Sequence, residues 1–288
     1  MIPAQFDYVA PATLEEALLQ LTRNPDEAKL LAGGHSLIPA MKLRLAQPQM
    51  LIDIGRIKDL AYIREEDGQI LIGAMTTHQQ IESSDLLKKV CPLLPECASH
   101  IGDVQVRNKG TIGGSLAHAD PAADWPAAII ALGARMAAIS VKGERFIKAD
   151  DFFTNMFSTA LTPGEILREI RIGIAKTATG YAYAKMHHPA SGFAVVGVAV
   201  SLTRNAQGAC ESASIGVTGV AANAYRPVAA QEALLGTNLD ESSISAAAAR
   251  VCEGIEANSD LFASEDYRRH LAEVYARRAI TAAASRVK

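Results

Sequence analysis

The chain reads as an α+β protein, and three observations predict it. Near the start, an apolar strand candidate, a glycine loop and a helix candidate follow one another. The middle alternates short hairpins with short helices. The last third sets three strand candidates ahead of Ala-rich helices, so sheet and helices are segregated there. With 288 residues, 49% of them apolar and 20% charged, the chain is long enough and apolar enough to close a substantial core without disulfide or metal staples.

Residues 13–24 predict a helix, with Thr13 as N-cap and Glu16 completing a capping box ahead of an apolar stripe. "AKLLA" is a short strand candidate, "LAGGHS" a tight loop, and "LIPAMKLRLA" a helix that tolerates Pro39 in its first turn and ends by Pro48. "MLIDI" is a second buried strand, which closes a first unit over residues 1–56. A second unit covers 57–175. It starts with the hairpin "YIREEDGQILIGA", turning at Asp67-Gly68, followed by helices near 77–83 and 92–101 and a loop at 111–115. A helix whose start is bracketed by Pro121 and Pro126 comes next, then a hairpin turning at Lys142-Gly143, and "EILREIRI" as a strand leading out of the unit. The third unit, 176–288, holds the strands "GYAYAKMH", "FAVVGVAVSL" and "ESASIGVTGV" as an antiparallel sheet, the last two joined at 205–208. Helices near 227–235, 241–257 and 266–286 finish the chain.

Composition excludes several classes. The formal net charge is −3 with no long block of like charge, so neither nucleic acid nor an anionic membrane is an implied partner. The longest apolar runs, Phe193 to Leu202 and Trp125 to Ala134, fall well short of the roughly 18 residues that span a bilayer. The first residues lack the basic and apolar regions of a secretory signal, so a cytoplasmic protein is expected. Cys91, Cys97, Cys210 and Cys252 form no Cys-x-x-Cys pair, and His187 and His188 point to opposite faces of a strand, so no metal site is expected.

Two glycine pairs carry the chemistry. A glycine loop after a strand lets backbone N–H groups converge on an anion. In "LLAGGHSLIPAMKL" the amides of Gly33 to Ser36 and the Ser36 hydroxyl are donors; in "RNKGTIGGSLAHADPAADW" they are the amides and hydroxyls of Thr111 to Ser115. The carboxylates of Asp120 and Asp124 suit ribose hydroxyls, since an anion repels phosphate but accepts hydrogen bonds from a sugar. Two cradles and a sugar acceptor suggest a diphosphate-bridged dinucleotide. No Gly-x-Gly-x-x-Gly opens a helix, which disfavours a Rossmann site. Each Gly-Gly pair taken alone is also an ordinary turn, His35 and His118 suit structural roles equally well, and Asp120 is a candidate helix N-cap before Pro121. No nucleophile and base constellation is present, so no catalytic residue is assigned.

The segments "KLLAGGHSLIPAMKLR", "LIDI", "IGAMTTH", "VRNKGTIGGSLAHADPAAD" and "TPGEIL", in this order, resemble the FAD-binding medium subunit of molybdenum hydroxylases, the family of carbon monoxide dehydrogenase and xanthine dehydrogenase. The resemblance covers essentially the whole chain. It implies a vanillyl-alcohol-oxidase-type FAD-binding fold of two α/β subdomains, plus a C-terminal domain of a three-stranded antiparallel sheet with a helical bundle. It implies FAD between these parts, with Leu30, Leu31, Ala32, Gly33, Gly34, His35, Ser36 and Leu37, and Thr111, Ile112, Gly113, Gly114 and Ser115, on its pyrophosphate. Asp124 falls on the adenosine portion, and Ile101, Leu161, Lys185 and Phe193 fall near the flavin ring. It further implies a large subunit with the molybdenum cofactor and a small subunit with two [2Fe-2S] clusters, assembled as a dimer of heterotrimers. Electrons would leave this chain's flavin for a quinone, NAD or oxygen. The other reading is a stand-alone FAD-dependent oxidoreductase acting on a small molecule at its own flavin. Carbon-monoxide-oxidising members carry Gly-Asp before an aromatic where this chain has Ser191-Gly192 before Phe193, which leaves carbon monoxide, an N-heterocycle, an aldehyde and a purine all open as substrates.

Overall fold

The computed structural model describes residues 2–175 and 177–287. The first segment contains β1 (Asp7–Val9), α1 (Leu14–Arg23), β2 (Ala28–Leu31), α2 (Leu37–Lys42) and β3 (Met50–Asp53). Its strands form a parallel sheet in the order β1-β3-β2. The three-residue β1 was not predicted, being too short to show alternation. Thr13 caps α1 by accepting from the Glu16 amide, while the Glu16 carboxylate accepts from Ala12 rather than from Thr13, one residue further back than in an ordinary capping box. The α1 stripe of Ala17, Leu18 and Leu21 then packs with Ile52, Ile54 and Ile57. Helix α2 stops at Lys42, well before Pro48. The amides of Leu45 and Ala46 fold back onto the Ala40 carbonyl, with Arg44 at φ +60°, so a local turn and not the proline ends the helix.

The middle segment contains β4 (Ile63–Glu66), β5 (Gln69–Gly73), α3 (His78–Ser83), α4 (Asp85–Val90), α5 (Leu93–Ser99), α6 (Val104–Lys109), α7 (Ile112–His118) and α8 (Trp125–Ala131). It continues with β6 (Arg135–Ser140), β7 (Gly143–Lys148), α9 (Ala149–Phe152), the small hairpin β8 (Phe153–Asn155) and β9 (Ser158–Thr159), and β10 (Ile166–Gly173). The strands β4-β5-β10-β6-β7 make one antiparallel sheet. Asp67 and Gly68 both have positive φ, which gives the β4–β5 turn the twist a two-residue hairpin requires. The β6–β7 turn lies one residue earlier than predicted: Gly143 pairs with Ser140, leaving Val141 and Lys142 at the tip. "EILREIRI" is a strand, the last of this segment in chain order. It is β10, the central strand, held on both sides because Ile166, Leu167, Ile170 and Ile172 are all buried.

The last segment contains β11 (Thr179–His187), β12 (Ala194–Arg204), β13 (Cys210–Thr218), α10 (Val228–Leu234), α11 (Glu241–Ala248) and α12 (Glu265–Arg286). The three strands form the expected antiparallel sheet. Helix α11 ends at Ala248 instead of 257, and the chain goes on in turns with i to i+3 bonds such as Val251 N–H to Ala248 O. Glycines let helices lie directly on both faces of this sheet. A Cβ on Gly180 would stand 2.0 Å from the Ala283 carbonyl of α12, and one on Gly216 would stand 2.0 Å from the Ala127 carbonyl of α8. Helix α8, from the middle segment, therefore covers one face, and Tyr181, Tyr183 and Ala199 on that face join the middle segment's core. The boundary predicted at 176 falls on a residue outside the described ones, as do residues 1 and 288. No described helix is long and apolar enough to cross a membrane.

Candidate functional site

The two glycine segments meet. Strand β2 ends at Leu31, and the chain turns through Gly34 at φ +76° into α2. A Cβ on Gly33 would stand 2.2 Å from the Lys109 carbonyl oxygen and 2.8 Å from the Gly110 Cα; one on Gly114 would stand 3.3 Å from the Ala32 Cβ. At Gly33 main chain touches main chain, and at Gly114 the helix backbone faces the Ala32 methyl, so glycine is needed here for the approach of one segment to the other.

Their amides differ sharply. The second segment is not a loop: Thr111 is the N-cap of α7, and its Oγ1 accepts from the Gly114 amide at 3.1 Å. The Ile112 amide donates to Thr76 O, the Gly113 amide to Ala74 O and the Ser115 amide to Thr111 O, so all four donors are spent inside the protein. Gly113 is explained by the β5 end beneath it, since a Cβ would stand 2.4 Å from the Ala74 Cβ. In the first segment the amides of Gly33, Gly34, His35, Ser36 and Leu37 have no protein acceptor among the described residues, and Ser36 makes no side-chain cap. Partly buried amides need an acceptor, and a consecutive run of them fits an anionic diphosphate. The residues present thus fit such a group, with most of the open donors in the first segment and only the Thr111 amide of the second left without a protein acceptor among the described residues.

The carboxylates are placed differently from the sequence reading. Asp120 does not cap a helix. Its Oδ1 accepts from the Ala122 amide in a turn, and α8 starts only at Trp125. Asp124 is 5% exposed. Its Oδ1 accepts from the Tyr183 hydroxyl at 2.6 Å, and the Lys185 Nζ lies 2.8 Å from Oδ1 and 2.9 Å from Oδ2. The Lys185 side chain is fully buried, and its Nζ also donates to His100 O at 2.9 Å. Asp124 and Lys185 therefore tie the start of α8 to β11, which leaves little of either open to a ligand. Burial pushes the Asp124 carboxyl up, opposed by the Lys185 charge and the hydrogen bonds from Lys185 and Tyr183.

Two more of the expected residues lie at or beside the turn at 100–103: Ile101, which is part of it, and Phe193, next to Gly192. Ile101 and Leu161 are half-buried at the margin of the central core. Phe193 is exposed, and a Cβ on Gly192 beside it would stand 3.9 Å from the Gly102 Cα. His118 packs on Phe157 at 5.2 Å between ring centroids, which is the structural reading.

Several residues were missed by sequence reasoning. His78 is buried under Gly110, accepts the Trp125 indole N–H at Nδ1, and is pushed down to about 4, first by burial and then by the nearby His35 and Arg107. His100 and His187 face each other at 3.2 Å, and burial lowers both. Only the "TTH" stretch hinted at His78; the others sit singly in strands and turns with no local signal. Among the described residues, no group of three or more His, Cys, Asp or Glu side chains is arranged to hold a metal.

Residues 4–173 match the FAD-binding domain found in molybdopterin dehydrogenases, and residues 181–283 match the carbon monoxide dehydrogenase flavoprotein C-terminal domain. The chain is 42% identical to the carbon monoxide dehydrogenase medium chain of Afipia carboxidovorans, with 100% of both covered. Its fold superposes on a chain of carbon monoxide dehydrogenase from Hydrogenophaga pseudoflava with a TM-score of 0.97, at 42% identity and 100% coverage of both. It superposes on a chain of quinoline 2-oxidoreductase from Pseudomonas putida with a TM-score of 0.93, at 35% identity and 99% coverage of both. The chain belongs to the FAD-binding family of molybdopterin dehydrogenases and is a flavoprotein subunit of an oxidoreductase of that kind, with FAD as its cofactor.

Proposed function

We propose that Gly33 to Leu37 hold the FAD diphosphate, and that the chain takes electrons from the [2Fe-2S] clusters of a small partner subunit and passes them to an external acceptor, a quinone, NAD or oxygen. The observation that carries this is the run of five amides left without protein acceptors where the two glycine segments meet. The Ser36 and Ser115 hydroxyls add donors beside that run. The large partner would hold the molybdenum cofactor and the substrate, in a dimer of heterotrimers, and the complex would reside in the cytoplasm.

When bound, FAD supplies reversible electron uptake and release. The chain's residues bind and orient it, and none is placed as a general acid or base. The segments 1–56, 57–175 and 176–288 act as three parts of one holder. Gly33 and Gly34 form the first wall and Thr111 to Ser115 the second, with the Gly113 and Gly114 amides serving the wall itself. Ile101, Leu161 and Phe193 offer apolar surface to a flat ring. The buried Asp124–Lys185 pair fixes the floor between α8 and β11 rather than reaching for the nucleotide, and Asp120 shapes the turn beside it.

A ligand series tests this without altering the protein. Apo chain titrated with FAD and with riboflavin should retain FAD and release riboflavin on gel filtration, because only FAD carries the diphosphate. Equal retention of the two would overturn the cradle.

A further inference from the structure

The turn at 100–103 has an unusual backbone environment. Three consecutive carbonyls are capped by cationic side chains. His100 O accepts from Lys185 Nζ at 2.9 Å, and Ile101 O and Gly102 O accept from the same Arg107 Nη1 at 3.1 and 3.3 Å. The Arg107 Nε lies 2.8 Å from Glu82 Oε2, so the guanidinium is anchored from the other side, and its side chain is 14% exposed. Gly102 has φ +48°, and a Cβ there would stand 2.9 Å from the Val106 side chain, so the turn is pressed onto the first turn of α6.

In a trans peptide the N–H points opposite to the C=O. With the Ile101 and Gly102 carbonyls drawn inward to Arg107, the Gly102 and Asp103 amides point away from it, and neither has an acceptor among the described residues. The Asp103 carboxylate is engaged in capping α6 through the Val106 amide at 2.8 Å. Position gives the outward amides a purpose. Helix α6 begins at this turn and ends at Lys109, whose carbonyl touches Gly33. Six helical residues rise about 9 Å, comparable to the ribityl chain that separates a flavin ring from its diphosphate. A flavin whose diphosphate sits on Gly33 to Leu37 can bring its ring to Ile101 and to the Phe193 loop beside Gly102.

We infer that Arg107 is a positioning residue that turns the Gly102 and Asp103 amides toward the polar edge of the isoalloxazine, where they favour the electron-rich reduced form. This rests on the diphosphate assignment above. Lys185 braces the preceding carbonyl, but the Ile101 amide of that peptide is spent on Ala98 O, so Arg107 alone acts on the ring, through the backbone and without touching it. The contrast between oxidised and reduced flavin arises because hydrogen bonds to a more negative acceptor are stronger.

The test uses the full chain loaded with FAD. Arg107→Gln removes both donated hydrogen bonds and leaves the first glycine segment intact. It should retain FAD while the preference for reduced over oxidised flavin falls about tenfold, or ~30 mV in a two-electron midpoint potential. Arg107→Lys, which reaches one carbonyl, should fall between Gln and the parent. In the parent chain, hydrogen exchange at the Gly102 and Asp103 amides should slow on FAD loading, a readout that survives even if the variants do not fold. An unchanged potential in FAD-loaded Arg107→Gln, or unchanged exchange at these two amides on loading, overturns the inference. Failure of the parent chain to prefer FAD over riboflavin is the separate result that overturns the diphosphate assignment.

Discussion

Replacing Gly33 by alanine adds one methyl group at the place where the two glycine segments touch. The added carbon would stand 2.2 Å from the Lys109 carbonyl oxygen and 2.8 Å from the Gly110 Cα. A carbon and a carbonyl oxygen settle at about 3.3 Å or more, so one segment must retreat by ~1 Å, and both contacts are main chain that cannot swing aside. Overpacking of this kind costs about 1–3 kcal/mol of stability. The cost to FAD is larger, because an amide displaced by ~1 Å leaves the 2.7–3.2 Å hydrogen-bonding range. Losing two hydrogen bonds to a charged group, at about 1.5–3 kcal/mol each, weakens binding by ~3 kcal/mol or more, a hundredfold or greater loss of affinity. Fluorescence titration of the apo variant with FAD measures this, with thermal melting as the control for folding. A folded Gly33→Ala chain binding FAD within twofold of the parent would refute the reasoning.

Two other consequences are accessible to denaturation experiments. Lys185→Met leaves the Asp124 carboxylate buried without its counter-charge and should cost about 3–5 kcal/mol, whereas Lys185→Met combined with Asp124→Leu should recover much of that loss; no recovery in the double variant would contradict the ion-pair account. His78, lowered to about 4, binds its proton less readily than in the unfolded chain, where the value is ~6.5. Its contribution is complete above pH 6.5 and is lost as pH falls toward 4, up to about 3 kcal/mol. Urea midpoints of the parent and His78→Gln should therefore converge between pH 6.5 and 4.5, and parallel slopes would show that His78 is not responsible.

Much of the fold was legible because its signals are local. The capping residue Thr13, the Asp67-Gly68 turn, and the apolar third-unit strands announce themselves within a few residues. What was misread depends on distant partners. Thr111-Ile-Gly-Gly looks like a loop because two glycines disfavour a helix by about 1 kcal/mol each. It is helical because Ala74 and Thr76 carbonyls, far back in the chain, take its first amides and demand small residues above β5. The same fact decides which glycine segment has open donors, and nothing in either segment alone reveals it. Asp124 and Lys185 are 61 positions apart, so their mutual burial appears only when the start of α8 is brought against the sheet that contains β11. The 100–103 turn was seen only as the end of a helix, since carbonyl capping by Arg107 leaves no trace in residue spacing.

The position of the diphosphate in an FAD-loaded structure of this chain tests the central claim most directly. Phosphate oxygens are expected within hydrogen-bonding range of the Gly33 to Leu37 amides, with the Ile112 to Ser115 amides still bonded to Ala74, Thr76 and Thr111. A diphosphate held elsewhere, or one that draws its donors from Ile112 to Ser115, would contradict it.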